Sequence, residues 1–297
     1  MFVNSSTYKV NLFAEKAKGL FELLKFRLSL LVSFSCGFGY VLGAQGSLNW
    51  QNLLVICLGG FLVSGASVTI NQIIEKDLDK LMSRTMNRPI PTGRVSISEA
   101  VILSFFTAAA GLWILSIYTN GLTVWLSVAS MILYSFVYTP LKRVGPIAVF
   151  VGAIPGALPP LLGWTAATGQ LSYEAIIIFG IQFIWQFPHF WAIAWVADED
   201  YKKAGFKLLP SGGKKDMNTA IQIMIYTLFL IPLGLLPAKF GITGIDSAIV
   251  VTVSGVLFLA QTFSHMRHGN RKSALRIMFG SFLYLPIVQI AYLLDKL

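Results

Sequence analysis

NQIIEKDLDKLMSRTMNRPIPTGR, residues 71–94, sets Glu75, Asp77 and Asp79 at the mouth of an apolar segment and runs straight into Arg84, Arg88 and Arg94. Carboxylates by themselves repel a phosphorylated substrate. Carboxylates that hold Mg2+ do not, because the ion takes one or two of them and fills its remaining positions with phosphate oxygens and water. Neighbouring guanidinium groups grip the same phosphates in a bidentate fork. The stretch therefore predicts a membrane-embedded site for a diphosphate.

The rest of the chain supplies the membrane. Of its 297 residues, 55% are hydrophobic and only 12% charged, with a mean hydropathy of +0.69, whereas soluble domains carry about a quarter charged residues. Apolar segments of spanning length fall at roughly 26–45, 51–72, 99–118, 121–139, 146–166, 174–196, 217–237, 246–265 and 274–293. The fold class predicted is all-α: a polytopic membrane protein of nine transmembrane helices, with a polar amino-terminal tail (1–24) and one membrane domain (25–297). Neither a signal-peptide core nor an Arg-rich transit peptide stands in the first 24 residues. Cys36 and Cys57 lie inside apolar segments and read as packing residues. Gly39 and Gly43 form a small-xxx-small pair suited to close helix contact.

Charge fixes the predicted topology. The tail and the loops after segments 2, 4, 6 and 8 hold 21 of the 23 Lys and Arg residues; only Lys239 and Lys296 lie on the other side. The positive-inside rule then places the amino terminus and the even-numbered loops in the cytoplasm and the carboxyl terminus outside. The net charge of +10 is a consequence of topology, and no nucleic-acid partner is needed to explain it. The expected location is a bacterial cell (inner) membrane, with the lipid bilayer as the obligatory surroundings.

Six of the 13 acids fall in two clusters, Glu75/Asp77/Asp79 and Asp198/Glu199/Asp200, both in long loops on one membrane face. Segment 2 is expected to continue as helix through the first. At about 100° per residue, Asn71, Glu75 and Asp79 share a face and Asp77 points elsewhere. Either cluster alone reads as an ordinary solvated loop. Two on one face, in a chain so poor in acids and each beside its own cations, fit a pair of Mg2+ ions holding a diphosphate. Pro146, Pro155, Pro159 and Pro160 make segment 5 either a kinked packing helix or a cavity wall.

The pattern N-x-x-x-E-x-D-x-D-x-x-M-x-R-T-x-x-R-P from Asn71 to Pro89 resembles the first signature of the UbiA-type intramembrane prenyltransferases, in the form of the subfamily that farnesylates protohaem IX. YTPLKR (138–143), QFPHFW (186–191) and DEDYKKAGFKLLP (198–210) resemble the same subfamily in its order. The resemblance covers about residues 20–290 and implies a UbiA-type bundle with active loops after helices 2 and 6. It departs at the second site, where Asp198 and Asp200 stand two apart and the superfamily usually spaces them D-x-x-x-D, so Glu199 and Tyr201 remain candidate participants.

The resemblance implies farnesyl diphosphate and haem b as substrates, haem b not being a cofactor. It also implies a downstream partner, the haem A synthase, for the product. Asn71, Glu75, Asp79, Asp198 and Asp200 would then be the metal-holding catalytic residues, with two Mg2+ ions. Arg84, Arg88, Lys142, Arg143 and Lys202 would bind diphosphate. Tyr138, Gln186, His189 and Trp191 would form the acceptor pocket. An ionisable side chain inside a span is a functional candidate and imidazole is a natural haem-iron ligand, although a lone histidine in a bundle is more often a packing residue. His265 and His268, in a basic loop, are expected to face anionic headgroups. Two other functions fit parts of the pattern. One is an aromatic prenyltransferase of quinone-precursor synthesis with the same fold. The other is a cation-coupled transporter, which would place its ion sites at the midplane and show repeat symmetry.

Overall fold

The computed structural model describes residues 5–297, with side chains of the first helix from Ala14 onward. Among the described residues nine helical spans are long and apolar enough to cross a membrane. They are α2 (Phe26–Gly43), α3 (Trp50–Ile74), α5 (Ile97–Tyr118), α8 (Ile147–Thr168), α9 (Tyr173–Val196), α13 (Ile245–His268), α14 (Arg271–Leu294) and two composite spans. In the first composite, α6 (Gly121–Ile132) runs through a π-helical turn (Leu133–Tyr138) into α7 (Thr139–Leu141). In the second, α11 (Met217–Gly234) is followed by α12 (Leu236–Lys239). Helices α1 (Ser5–Leu23), α4 (Lys76–Asp79) and α10 (Asp198–Lys203) lie outside the spans. The spans coincide with the nine predicted segments to within a few residues, because in lipid a chain satisfies its backbone only by helix or closed barrel.

The polar residues of the short connections are the helix starts. Asn49, Asn120 and Ser172 each accept a hydrogen bond from the N–H three residues on, as do Ser96, Asp216 and Asn270 at the other face. Side chains such as Phe105, Trp113 and Trp125 stay exposed on the outer surface, where lipid is their solvent.

Helix α8 is the hub: α2, α6 and α9 pack on it, α3 lies beyond α2, and α9, α11, α13 and α14 form the other half before α14 returns to α2. Its contact with α2 is backbone to backbone. A Cβ built on Gly39 would lie 1.8 Å from the Pro160 carbonyl oxygen, and one on Gly163 would lie 1.9 Å from the Cys36 carbonyl oxygen. Only glycine permits that approach. The same helix also resolves the question its prolines pose. Pro155 and Pro159 line the central cavity while the helix stays continuous from Ile147 to Thr168, so it is both packing helix and cavity wall.

The cavity, about 560 Å3, is enclosed by α2, α3, α6 with its π turn, α8, α9 and α14. Leu28, Leu31, Phe34 and Phe282 line it and are also exposed on the outer surface. Its wall is therefore partly exposed where α2 and α14 supply it.

Candidate active site

The end of α3 departs from the expected unbroken helix. Glu75 leaves helical geometry (φ −89°, ψ 4°) before α4 resumes it. The hydrogen bonds Glu75 N–H to Asn71 O (2.9 Å) and Asp79 N–H to Glu75 O (2.8 Å) survive the pause, so the shared face is kept. Asn71, Glu75 and Asp79 are 2%, 4% and 0% exposed. Asp77 instead pairs in solvent with Lys76 and Lys80.

Each buried oxygen can be traced. Asn71 Nδ2 donates to Thr139 Oγ1 (3.0 Å), and Thr139 spends its only proton on Tyr134 O (2.9 Å). The threonine can therefore only accept from Asn71, which fixes the amide with Oδ1 turned away from it. Glu75 Oε1 accepts from Lys142 Nζ at 2.8 Å, and Asp79 Oδ2 from Arg88 Nη1 at 2.6 Å. Among the described residues, Asp79 Oδ1 is buried with no hydrogen-bond partner. An orphaned carboxylate oxygen costs free energy unless something meets it. An all-oxygen set of one amide and two carboxylates suits a hard cation such as Mg2+. The residues present fit that ion.

The second cluster behaves differently at its two ends. Asp198 is buried, and its Oδ2 meets Lys202 (2.8 Å) and Lys215 (3.3 Å). Asp200 accepts from the backbone N–H groups of Ser83 (3.2 Å) and Arg84 (3.1 Å) and from Lys203. Burial would raise its pKa, but these donors outweigh it and hold Asp200 below the usual carboxylate range. The contact clasps the loop after α3 to the loop after α9, at the backbone of Ser83 and Arg84 and not at the acids of the first cluster. Among the described residues, no three His, Cys, Asp or Glu side chains already converge on one point; the carboxylates are held apart by their cations.

One residue of this site escapes sequence reasoning. Lys25, which counts in the sequence only toward the positive-inside tally, lines the cavity with Glu75, Asp79 and Arg88. It is the one non-glycine residue with positive φ among those described (φ 43°, ψ 59°), a left-handed conformation costing about 1–2 kcal/mol. Gln72 Nε2 donates to Leu23 O (2.8 Å) and Ser29 Oγ to Leu24 O (2.8 Å), tying down the turn that aims it inward. Burial pushes the ammonium down to about 7, with Arg88 and Lys142 adding repulsion. No sequence pattern carries that information; only the backbone turn does.

Lys25, Arg84, Arg88 and Lys142 thus face the cavity against two carboxylates, Glu75 and Asp79. The surplus positive charge calls for an anion. Beyond this end the wall is aromatic: Tyr134, Tyr138, Trp185, Phe190 and Phe282, with Lys142 Nζ 4.8 Å from the Tyr138 ring centre. Deeper still, Gln182, Gln289 and Ser35 hydrogen-bond one another across α9, α14 and α2, and Gln186 Nε2 donates to Gly156 O (2.9 Å).

Of the predicted residues, Asn71, Glu75, Asp79, Arg84, Arg88, Lys142, Tyr138, Gln186, His189 and the candidate Tyr201 line this cavity, whereas Asp198 and Asp200 do not. The others stand elsewhere. Arg143 lines a separate shallow pocket behind Glu75. Lys202 is an exposed partner of Asp198. Trp191 packs between Phe187 and Tyr226. His265 is buried on Ser273 and the Trp195 ring, a packing position and not the headgroup contact expected; His268 is exposed.

Comparison with known proteins agrees with this architecture. The UbiA prenyltransferase family model matches residues 31–285. A protoheme IX farnesyltransferase of Cytophaga hutchinsonii is 51% identical over 284 residues, covering 96% of this chain and 99% of that protein. A mitochondrial protoheme IX farnesyltransferase of Arabidopsis thaliana is 36% identical, covering 94% of this chain and 65% of that protein. Among solved structures, a digeranylgeranylglyceryl phosphate synthase superposes with a TM-score of 0.78 at 20% identity, over 95% of this chain and 98% of that one. A UbiA homologue from Archaeoglobus fulgidus bound to GPP and Mg2+ gives 0.64 at 18% identity, over 93% and 99%. A nine-span bundle, two acidic loops clasped together and a family match along most of the chain lead to one conclusion: this protein belongs to the UbiA prenyltransferase family.

Proposed function

We propose that the protein transfers the farnesyl group of farnesyl diphosphate to a vinyl group of haem b with addition of water, giving haem O and pyrophosphate. The choice of acceptor is carried by one observation, the 51% identity along 96% of the chain with a protein named for that activity. The choice of donor agrees with a cavity whose cationic end suits a diphosphate and whose aromatic body suits a prenyl chain.

Asn71, Glu75 and Asp79 would hold Mg2+, which would supply charge neutralisation for the departing diphosphate. Asp198 would hold a second ion, its lysine partners being exposed and able to swing aside, and Asp200 would join it on release from the backbone of Ser83 and Arg84. Arg84, Arg88, Lys142 and Lys25 contact the phosphate oxygens, and Arg143 and Lys202 add to the field from outside the cavity. The allylic C–O bond breaks and a vinyl carbon of haem forms the new C–C bond. Water then captures the cation left beside the porphyrin and gives up a proton. Tyr138, Trp185 and Phe190 present ring faces to the cationic carbon and keep bulk water from it. Gln186 and His189 line the acceptor's end, with Trp191 supporting the wall behind them.

By the distribution of Lys and Arg, the active loops and amino terminus face the cytoplasm of a bacterial cell, and the product passes to a haem A synthase. The test is product mass spectrometry on purified protein in detergent with Mg2+, farnesyl diphosphate and haem b, and 4-hydroxybenzoate in a parallel tube. Hydroxyethylfarnesyl haem is expected. Prenylated benzoate would keep fold and donor and overturn the acceptor.

A further inference from the structure

His189 lies on α9 with Nδ1 2.9 Å from Ser281 Oγ on α14. Ser281 has one hydroxyl proton, and its Oγ stands 2.6 Å from the Met278 carbonyl oxygen. Two oxygens that close require the proton between them. The serine therefore offers His189 a lone pair and Nδ1 carries a proton, so in the neutral imidazole Nε2 is left with a bare lone pair.

The ring cannot swing away from this arrangement. Trp185 stacks on it at 4.4 Å and 19°, and Trp185 Nε1 donates to Ser281 O at 3.0 Å. Phe282 abuts it edge-on at 5.0 Å. His189 lines the cavity, whereas Nε2 of His265 is sealed inside protein. Among the described residues no hydrogen-bond donor meets Nε2 of His189. A locked, neutral imidazole with a free lone pair on the cavity's aromatic wall is costly without a partner and is the ligand a metalloporphyrin takes. Along α9, His189 stands nine residues before Asp198, about 14 Å at 1.5 Å per residue. A porphyrin centred on the imidazole would keep its rim, where the vinyl groups are, on the side of the diphosphate end.

We infer that His189 Nε2 is the axial ligand of the acceptor's iron, with Ser281 and Met278 as the positioning residues that fix its tautomer. This rests on the proposed haem acceptor. The nitrogen lone pair forms a coordinate bond to iron, a weakly held solvent ligand leaves, and no oxidation state changes. The bond sets which rim position reaches the prenyl cation and selects a metalloporphyrin over a metal-free ring or a small phenol.

The experiment titrates haem b and metal-free protoporphyrin IX into wild-type protein, His189→Ala, His189→Gln and Ser281→Ala, reading absorption and electron paramagnetic resonance spectra. Farnesyl diphosphate binding serves as the check that each variant is folded. Wild type should bind haem more tightly than the metal-free ring and give a nitrogen-ligated spectrum. His189→Ala should lose that spectrum and roughly a hundredfold in haem affinity, leave metal-free porphyrin binding unchanged, and regain the spectrum with added imidazole. Ser281→Ala should keep the ligand and weaken haem by about tenfold. Identical spectra in wild type and both His189 variants would overturn ligation. So would variants that bind haem normally yet turn over poorly, the behaviour of a proton acceptor. If wild type still makes the haem product in those cases, the proposed function stands without the iron bond; if it binds no haem at all, both fall.

Discussion

Replacing Asp79 with asparagine separates the metal role of this residue from its structural one. The carboxylate is wholly buried, with Oδ2 2.6 Å from Arg88 and Oδ1 unpartnered among the described residues. Asparagine keeps the shape and still accepts from Arg88, but a charge-assisted bond (about 1.5–3 kcal/mol) becomes an ordinary one of about 1 kcal/mol. The expected loss of apo stability is therefore modest, about 1–2 kcal/mol, because Arg88 also reaches the wet cavity. The loss of function is larger. Wild type should gain about 2.7 kcal/mol at a Mg2+ concentration a hundredfold above Kd, and Asp79→Asn should gain almost none. Its turnover should fall by about three decades or more, equivalent to roughly 4 kcal/mol of transition-state stabilisation. Arg88→Gln is the counterpart. Stripping the cation from a buried carboxylate costs about 3–5 kcal/mol without metal, and Mg2+ should restore much of it. The assay is thermal unfolding in detergent across a Mg2+ series, with pyrophosphate release measured in parallel. A normal Mg2+ shift or near-normal turnover in Asp79→Asn would refute the metal assignment.

Three further outcomes are expected. Lys25→Met should raise KM for the prenyl diphosphate about tenfold, the worth of one charge-assisted contact at 1.4 kcal/mol, whereas Lys25→Gly should lose the same affinity yet melt higher because the left-handed turn (φ 43°) is relieved. Equal KM in all three proteins would remove Lys25 from the site. Gly39→Ala would place a Cβ 1.8 Å from the Pro160 oxygen against the ~3.3 Å of a close C···O contact. The helices must part by about 1.5 Å, costing about 1–3 kcal/mol and about a hundredfold in turnover through displacement of the cavity wall, read by melting and by initial rates. Chelation should stop pyrophosphate release and added Mg2+ restore it; activity that survives chelator would take the ion out of the reaction.

The sequence by itself determined the nine spans, their alternation and the face that carries the chemistry. Each of these depends on local quantities: runs of apolar residues long enough for a bilayer, and loop charges counted one at a time. The face shared by Asn71, Glu75 and Asp79 was equally legible, since helical periodicity is local and survives the pause at Glu75. Tertiary structure alone decided which cations serve the cavity. Arg143 and Lys202 stand in the right loops but turn outward, while Lys25, anonymous in the amino-terminal tally, is thrown inward by one left-handed residue. It decided Trp191 against Gln186, neighbours in one motif, because apolar spans carry no hydrophobic stripe to say which face meets protein and which meets a cavity. It also decided the tautomer of His189, set by a serine 92 residues away whose own proton is committed to its preceding turn. Such matters turn on where a single lone pair points, and that is settled only when distant helices are brought within hydrogen-bond reach.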